Sequence, residues 1–339
     1  MKILLLAALS CCIGPAARAS GERPPPVFAR VVVSSDPAAT ASFTAVSERL
    51  PFMLERGLTN LANKADATAA WHTFLRTNDV VGLKVYSSPG ALSGTRPAVV
   101  GAIVDSLLRS GFSTNQIIIW DKRWIDLRFA GFTALAEQKG IACLASAEAG
   151  YDSEAFYDSP LLGKLVWGDS EFGKKGPGSG RKSFVSNLVS KKLTRIINIT
   201  PLLNHNLAGV SGNLFGLCFG SLDNTLRFEA EPERLNDALP DMYALPSLGD
   251  KVALNIVDAL LCQYQGEERS FLHYSVALNQ LRFSTDPVAL DVLSLLELEK
   301  QRTLAKIAPV KVNKLIYENA GLLELGVSDP ARIVIETVR

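Results

Sequence analysis

Residues 194–228, TRIINITPLLNHNLAGVSGNLFGLCFGSLDNTLRF, gather the side chains best able to do chemistry. Asn204, His205, Asn206, Ser211 and Asn213 fall close together, interleaved with Gly209, Gly212, Gly216 and Gly220. A neutral imidazole suits both proton transfer and metal ligation. Amides and hydroxyls suit hydrogen bonding, either to a ligand or to their own loop backbone. The cluster follows a short apolar run at 196–199 that reads as a buried strand. Open α/β sheets build ligand sites where such strands end.

Other reactive groups stand at the ends of similar runs. Lys84 is the penultimate residue of VVGLKV (80–85), Asp121 ends IIIWD (117–121), and Asp258 follows the apolar run 252–257. A buried, isolated ammonium is costly. Lys84 therefore either reaches a crevice at its strand end or snorkels at a sheet edge. Thr95, Arg96 and Pro97 precede a helix predicted over 98–109, with Thr95 as its cap and Pro97 in its first turn. Free N–H groups at that helix start, with Arg96 beside them, would attract an anion. The sharpest reading takes His205 as general base or metal ligand, Lys84 as electrophile or anion anchor, and Asp121 and Asp258 as acids or hard-cation ligands. The plainer reading has Asp121 and Asp258 capping turns, and Arg227 paired with a carboxylate rather than with a ligand. A divalent metal is compatible with this set, though its identity is unknown. Cys143, Cys218 and Cys262 have neither disulfide nor zinc spacing.

Around these residues the chain reads as alternating strands and helices. A strand at 31–33 precedes helices at 53–61 and 68–75, the second capped by Asp66. The run 80–85, the helix 98–109 ending at Gly111, and the run 117–120 form a βαβ unit with a right-handed crossover. A helix over 124–138, a strand over 141–144 and a short strand at 165–167 follow, and 183–191 is either a helix or the approach to the next strand. The basic glycine-rich segment 173–182 fails the P-loop spacing because Arg181 stands where a glycine is required. It reads as a solvated loop or as a lid over an anionic ligand. Further on come a polar helix at 231–239, an antiparallel strand or hairpin arm at 279–284, a helix over 287–299 capped by Asp286, a helix at 309–318 and a strand at 332–337. The expectation is one α/β domain over 29–339 with a mostly parallel, doubly wound sheet and an antiparallel strand or hairpin in its C-terminal half.

Net charge is +1, from 35 basic and 34 acidic residues, which argues against nucleic-acid binding. Lys2, the apolar run 3–13 and Ala17-Arg18-Ala19 form a secretory signal pattern, cleaved near Ala19 and implying a periplasmic or secreted protein. The run is too short to span a bilayer, and no membrane span follows it. Residues 20–28, with Pro24-Pro25-Pro26, form a linker.

The ordered phrases VVGLKV (80–85), SGTRPAVVGAIVDSLL (93–108), IIIWD (117–121), RIINITPLLNHNLAGVSG (195–212), LNIVDAL (254–260), STDPVALD (284–291) and GLLELGVSDPARIVI (321–335) resemble the bacterial and archaeal domain-of-unknown-function family 362. The resemblance implies one α/β domain with polar residues collected at strand ends, and it supplies no established reaction. Some members carry iron–sulfur cysteine runs; this chain has none, so no iron–sulfur cluster is expected. Lys84, Thr95, Asp121, His205, Ser211, Arg227, Asp258, Asp286 and Asp291 match the family pattern. Leu203 and Phe215 stand where members typically carry lysines, Gly216 follows in place of an asparagine, and Glu229 replaces a frequent histidine. Losing two cations weakens any site built to grip an anion or polarise an oxygen. The sequence thus points to an exported protein that binds a small polar or anionic molecule, as a degenerate, non-catalytic relative. The alternative is an exported enzyme using His205, Lys84 and Asp121 or Asp258.

Overall fold

The computed structural model describes residues 28–339 apart from Glu268 and Lys311. The expected signal segment, and the linker as far as residue 27, lie outside the described residues. The central sheet is nine-stranded. It contains β1 (Ala29–Ser35), β2 (Val81–Val85), β3 (Ile117–Asp121), β4 (Ala142–Ala145), β7 (Arg195–His205), β8 (Gly209–Val210), β9 (Val252–Gln263), β10 (Ser275–Ser284) and β11 (Ile333–Val338). The order across it is β11-β1-β10-β9-β7-β2-β3-β4, with β8 hairpinned onto β7. Along that order β10 alone runs against its neighbours. A separate two-stranded ribbon pairs β5 (Tyr151–Asp158) with β6 (Lys182–Ser186).

Apolar residues occupy both faces of the sheet because both are covered. Val81, Leu83, Val85, Ile117, Ile119, Ile197 and Ile199 face one core. That core is covered by α1 (Leu50–Ala62), α2 (Ala67–Phe74), α3 (Pro97–Arg109), α4 (Trp124–Phe129) and α5 (Phe132–Lys139). Ile118, Trp120, Ile196 and Leu202 face the other, beneath α6 (Asn213–Ser221), α7 (Leu235–Tyr243), α8 (Pro287–Leu304) and α9 (Leu315–Leu322). The doubly wound expectation therefore holds. After β2 the chain steps outward through β3 and β4, then returns to place β7 on β2's other side. The gap between β2 and β7 is a topological switch point, where such sheets open a crevice.

A polar row crosses the second face. Lys84 lies in register with Trp120 and Asn198, Asn198 with Asn255, and Asn255 with Ser284. All five side chains are buried. They lie on the side covered by α6, which comes unusually close: a Cβ at Gly220 would sit 2.1 Å from Lys84 Cε, and one at Gly212 2.1 Å from Asp291 Oδ1. Glycine at these positions is a requirement of close approach, not of an unusual φ.

Several local expectations change. The strand at 196–199 extends to His205, so Asn204 and His205 belong to β7. Pro201, which cannot donate to a ladder, falls where the register with β9 shifts between Asp258 and Cys262. Residues 213–221, read as loop, form α6. Asp258 lies inside β9 rather than after it. Residues 165–167 form no strand, and 183–191 divide between β6 and a π-helical turn at Leu188–Lys192. Thr95 is not the cap of α3, whose N-cap is Arg96. The Thr95 hydroxyl instead donates to Ile199 O and accepts from Tyr86 N, tying the exit of β2 to β7.

Candidate functional site

A cavity of about 670 Å³ opens at the C-terminal ends of β2, β3 and β7. Tyr86 and Ser88 enter it just past β2, Asp121, Lys122 and Arg123 from the end of β3, and His205 from the end of β7. Helix α6 supplies Phe215, Phe219 and Gly220, and the loop 159–181 supplies Val166, Trp167, Gly168 and Asp169. Asp126, Tyr151, Thr225, Glu229, Glu267 and Arg269 complete the polar lining.

His205 is buried, with its ring 4.0 Å from that of Phe215. Its Nδ1 accepts from Ala208 N at 3.1 Å and Leu207 N at 3.3 Å. A neutral ring that accepts at Nδ1 carries its proton on Nε2. Burial pushes the imidazole down to about 4. His205 is therefore a neutral hydrogen-bond donor at physiological pH, with its acceptor nitrogen already engaged by the chain. The sign of the pH dependence follows. Below about 6.5 the unfolded chain protonates this ring while the folded chain resists until about 4. Stability is thus lost as pH falls through that window, by roughly 3 kcal/mol in full. His205→Asn keeps an acceptor for the two N–H groups and removes the titration, so denaturant unfolding of this variant across pH 4–7 is expected to lack that contribution.

Asp121 lines the cavity, but its carboxylate is held from behind. Oδ1 lies 2.8 Å from Lys84 Nζ, and Oδ2 accepts from Ser87 N at 2.7 Å and Ser87 Oγ at 2.6 Å. Lys84 is 1% exposed and does not line the cavity; it serves as the counter-ion beneath Asp121. Asp258 is not brought to the cavity either. It is fully buried, 2.9 Å from Arg96 Nη1, and accepts from Arg96 N at 3.0 Å. Its carboxylate thus occupies the start of α3, where an anionic ligand was expected.

The remaining candidates support loops and helix ends. Arg227 donates to Leu161 O, Gly180 O and Ser183 Oγ, pinning the loop 159–181. Asn204 Oδ1 accepts from Glu267 N, and Asn206 N donates to the Glu267 carboxylate, so both hold the segment that carries Arg269. Asn213 donates from its backbone and its side chain to Asp291, which also accepts from Leu214 N and so caps α6 from α8. Ser211 Oγ is buried without a hydrogen-bond partner, away from the lining. No cluster of three His, Cys, Asp or Glu side chains among the described residues could hold a metal.

A cavity-lining residue that the sequence reading did not single out is Lys122. It is half-buried in the cavity wall and donates to Thr225 Oγ1 at 2.9 Å. Burial pushes the amine down to about 8, against the opposing pull of Asp169 and other carboxylates. Its signal was visible as the residue after Asp121 at a strand end. Acylation of Lys122, followed by mass spectrometry across pH, is expected to show a midpoint near 8, where an ordinary lysine shows about 10.4.

The lining mixes charge. Lys122, Arg123 and Arg269 face Asp126, Asp169, Glu229 and Glu267, with Asp121 already matched by Lys84. Such a wall can hold a ligand that carries an anionic group together with hydroxyls or an amine.

A family model described as a domain of unknown function (DUF362) matches residues 81–295. No curated protein matches the sequence. Among solved structures, the crystal structure of a protein from Thermotoga maritima aligns with a TM-score of 0.42 at 12% identity, covering 79% of this chain and 61% of that one. This chain therefore spans less than two thirds of that protein's length. The matched segment contains β2, β3, β7, α6 and most of the cavity wall, and with it this chain belongs to the DUF362 family.

Proposed function

We propose that this protein binds a small polar ligand in the cavity at the ends of β2, β3 and β7. One observation carries the reading: the Nε2–H of a neutral His205, the Lys122 amine and the carboxylates share a single hollow at the switch point of the sheet. The cations suit a phosphate or carboxylate group, and the carboxylates suit hydroxyls or an amine on the same molecule. The signal pattern before residue 20 supports a protein that works outside the cytoplasm.

Binding without turnover accounts for the site better than catalysis through His205, whose ring is a donor at neutral pH. A second reading is favoured by Lys122 alone. A partly neutral amine can add to a carbonyl carbon, with loss of water, to form an imine. Borohydride trapping of a small aldehyde on Lys122 would support that reading.

A thermal-shift screen of small phosphates, sugars, amino acids and divalent metals tests the binding reading. A true ligand at a hundredfold its Kd is expected to add about 2.7 kcal/mol to stability. The gain is expected to shrink in Lys122→Met and in His205→Asn. Full retention in both variants would place the ligand elsewhere.

A further inference from the structure

The cavity is charged within and apolar at its mouth. Val166, Trp167 and Leu226 line it and are exposed, Trp167 at 88%. Arg123 and Asp126 also line it, and between them Trp124 and Ile125 are exposed, with Phe129 at 73% just beyond. The chain's other two tryptophans, Trp71 and Trp120, are fully buried. Trp167 thus stands at the opening itself, and Trp124 is exposed on the short segment between two residues that line it. Isolated exposed apolar residues need no explanation, but a concentration of them around a single mouth does.

The charges at that mouth are sorted by direction. Asp126 and Asp169 line the cavity, the Asp169 carboxylate accepting from Val166 N and Asn224 N, and Glu171 accepts from Gly180 N within its own loop. Arg128, Lys164, Lys174 and Lys175, on the same two segments, are exposed and lie outside the lining. A rim of Trp, Phe and Ile interspersed with outward cations is the composition that settles at a lipid headgroup boundary. A protein partner would be met as well by the apolar side chains alone; the outward cations add complementarity to an anionic leaflet.

We propose that this mouth docks on an anionic phospholipid surface, with Trp124 and Trp167 at headgroup depth, and that the cavity ligand is the polar headgroup of a lipid in that surface. The inference rests on the ligand reading of the cavity. It specifies the ligand as a phosphate ester bearing hydroxyls or an amine, matching the mixed lining, and assigns it to a membrane rather than to free solution.

The test uses the full chain with vesicles of phosphatidylethanolamine and phosphatidylglycerol, some bearing brominated acyl chains. Expected results are quenching of tryptophan emission by the brominated lipid, loss of that quenching in Trp124→Phe/Trp167→Phe, and weaker binding when phosphatidylglycerol is replaced by phosphatidylcholine. Ile125→Ser/Phe129→Ser, at two exposed residues outside the cavity lining, is expected to raise the lipid concentration for half-binding about tenfold without lowering Tm. Quenching reads the rim itself, so an apolar N-terminal segment held in the bilayer cannot imitate it. No vesicle association, or association without quenching of these tryptophans, overturns the lipid surface and leaves a protein as the occupant of the mouth. A parallel arm adds sn-glycerol 3-phosphate to the native chain and to Ile125→Ser/Phe129→Ser, which leaves the cavity lining intact. Stabilisation in both keeps the cavity reading alive even if the lipid arm fails, and stabilisation without vesicle binding assigns the headgroup chemistry to a free phosphate ester.

Discussion

Lys84→Met is expected to cost about 3–5 kcal/mol of folding stability, because it leaves the Asp121 carboxylate buried without its cation. The methionine fills similar space, so the loss is electrostatic rather than a cavity effect. Asp121 retains its two bonds from Ser87, but these must then carry a charge that Lys84 shares in the native protein. Lys84→Met/Asp121→Asn removes both charges, and its deficit is expected to be well below the sum of the single losses. Equilibrium denaturation of the four species decides the matter. Additive losses would mean that the pair contributes nothing as a pair.

Gly212→Ala is expected to cost about 3 kcal/mol and to disturb the cavity as well. The added Cβ would meet Asp291 Oδ1 at 2.1 Å, Cγ at 2.5 Å and Oδ2 at 2.8 Å. That carboxylate cannot swing aside without dropping its bonds from Asn213 N, Asn213 Nδ2 and Leu214 N. Either the cap on α6 is lost or the helix moves, and α6 carries Phe215, Phe219 and Gly220 into the cavity wall. Denaturation and ligand titration of the variant are therefore expected to deteriorate together. A stable variant with native ligand affinity would show that α6 has slack that the close contacts deny it.

The sheet was largely legible in the sequence because its core strands are short apolar runs closed by polar or glycine-rich segments, as at 80–85 and 117–121. Its continuation was not. Pro201 and Asn204 read as the end of a strand, yet the register shift opposite Pro201 and the hairpin to β8 carry β7 on to His205. Helix α6 was hidden by glycines that each cost about 1 kcal/mol in a helix interior. Their spacing at 212, 216 and 220 places them along one helical face and so foretold close approach to a surface, but what they approach, Lys84 and Asp291, is distant in sequence. The candidate residues were divided for the same reason. His205 and Asp121 reach the cavity, whereas Lys84, Asp258, Arg227 and Asn213 meet structural partners that no local pattern announces. Trp167 and Asp169 come from an irregular loop in which 165–167 read as a short strand, and no periodicity there pointed to the cavity.

The most direct test is an acylation footprint of Lys122 in the presence of a ligand taken from the stability screen. At about a hundredfold its Kd the ligand occupies nearly every molecule, so Lys122 labelling is expected to fall by as much as about a hundredfold while the exposed Lys174 and Lys175 are unaffected. A ligand that stabilises the fold yet leaves Lys122 labelling unchanged would contradict the assignment of this cavity as the binding site.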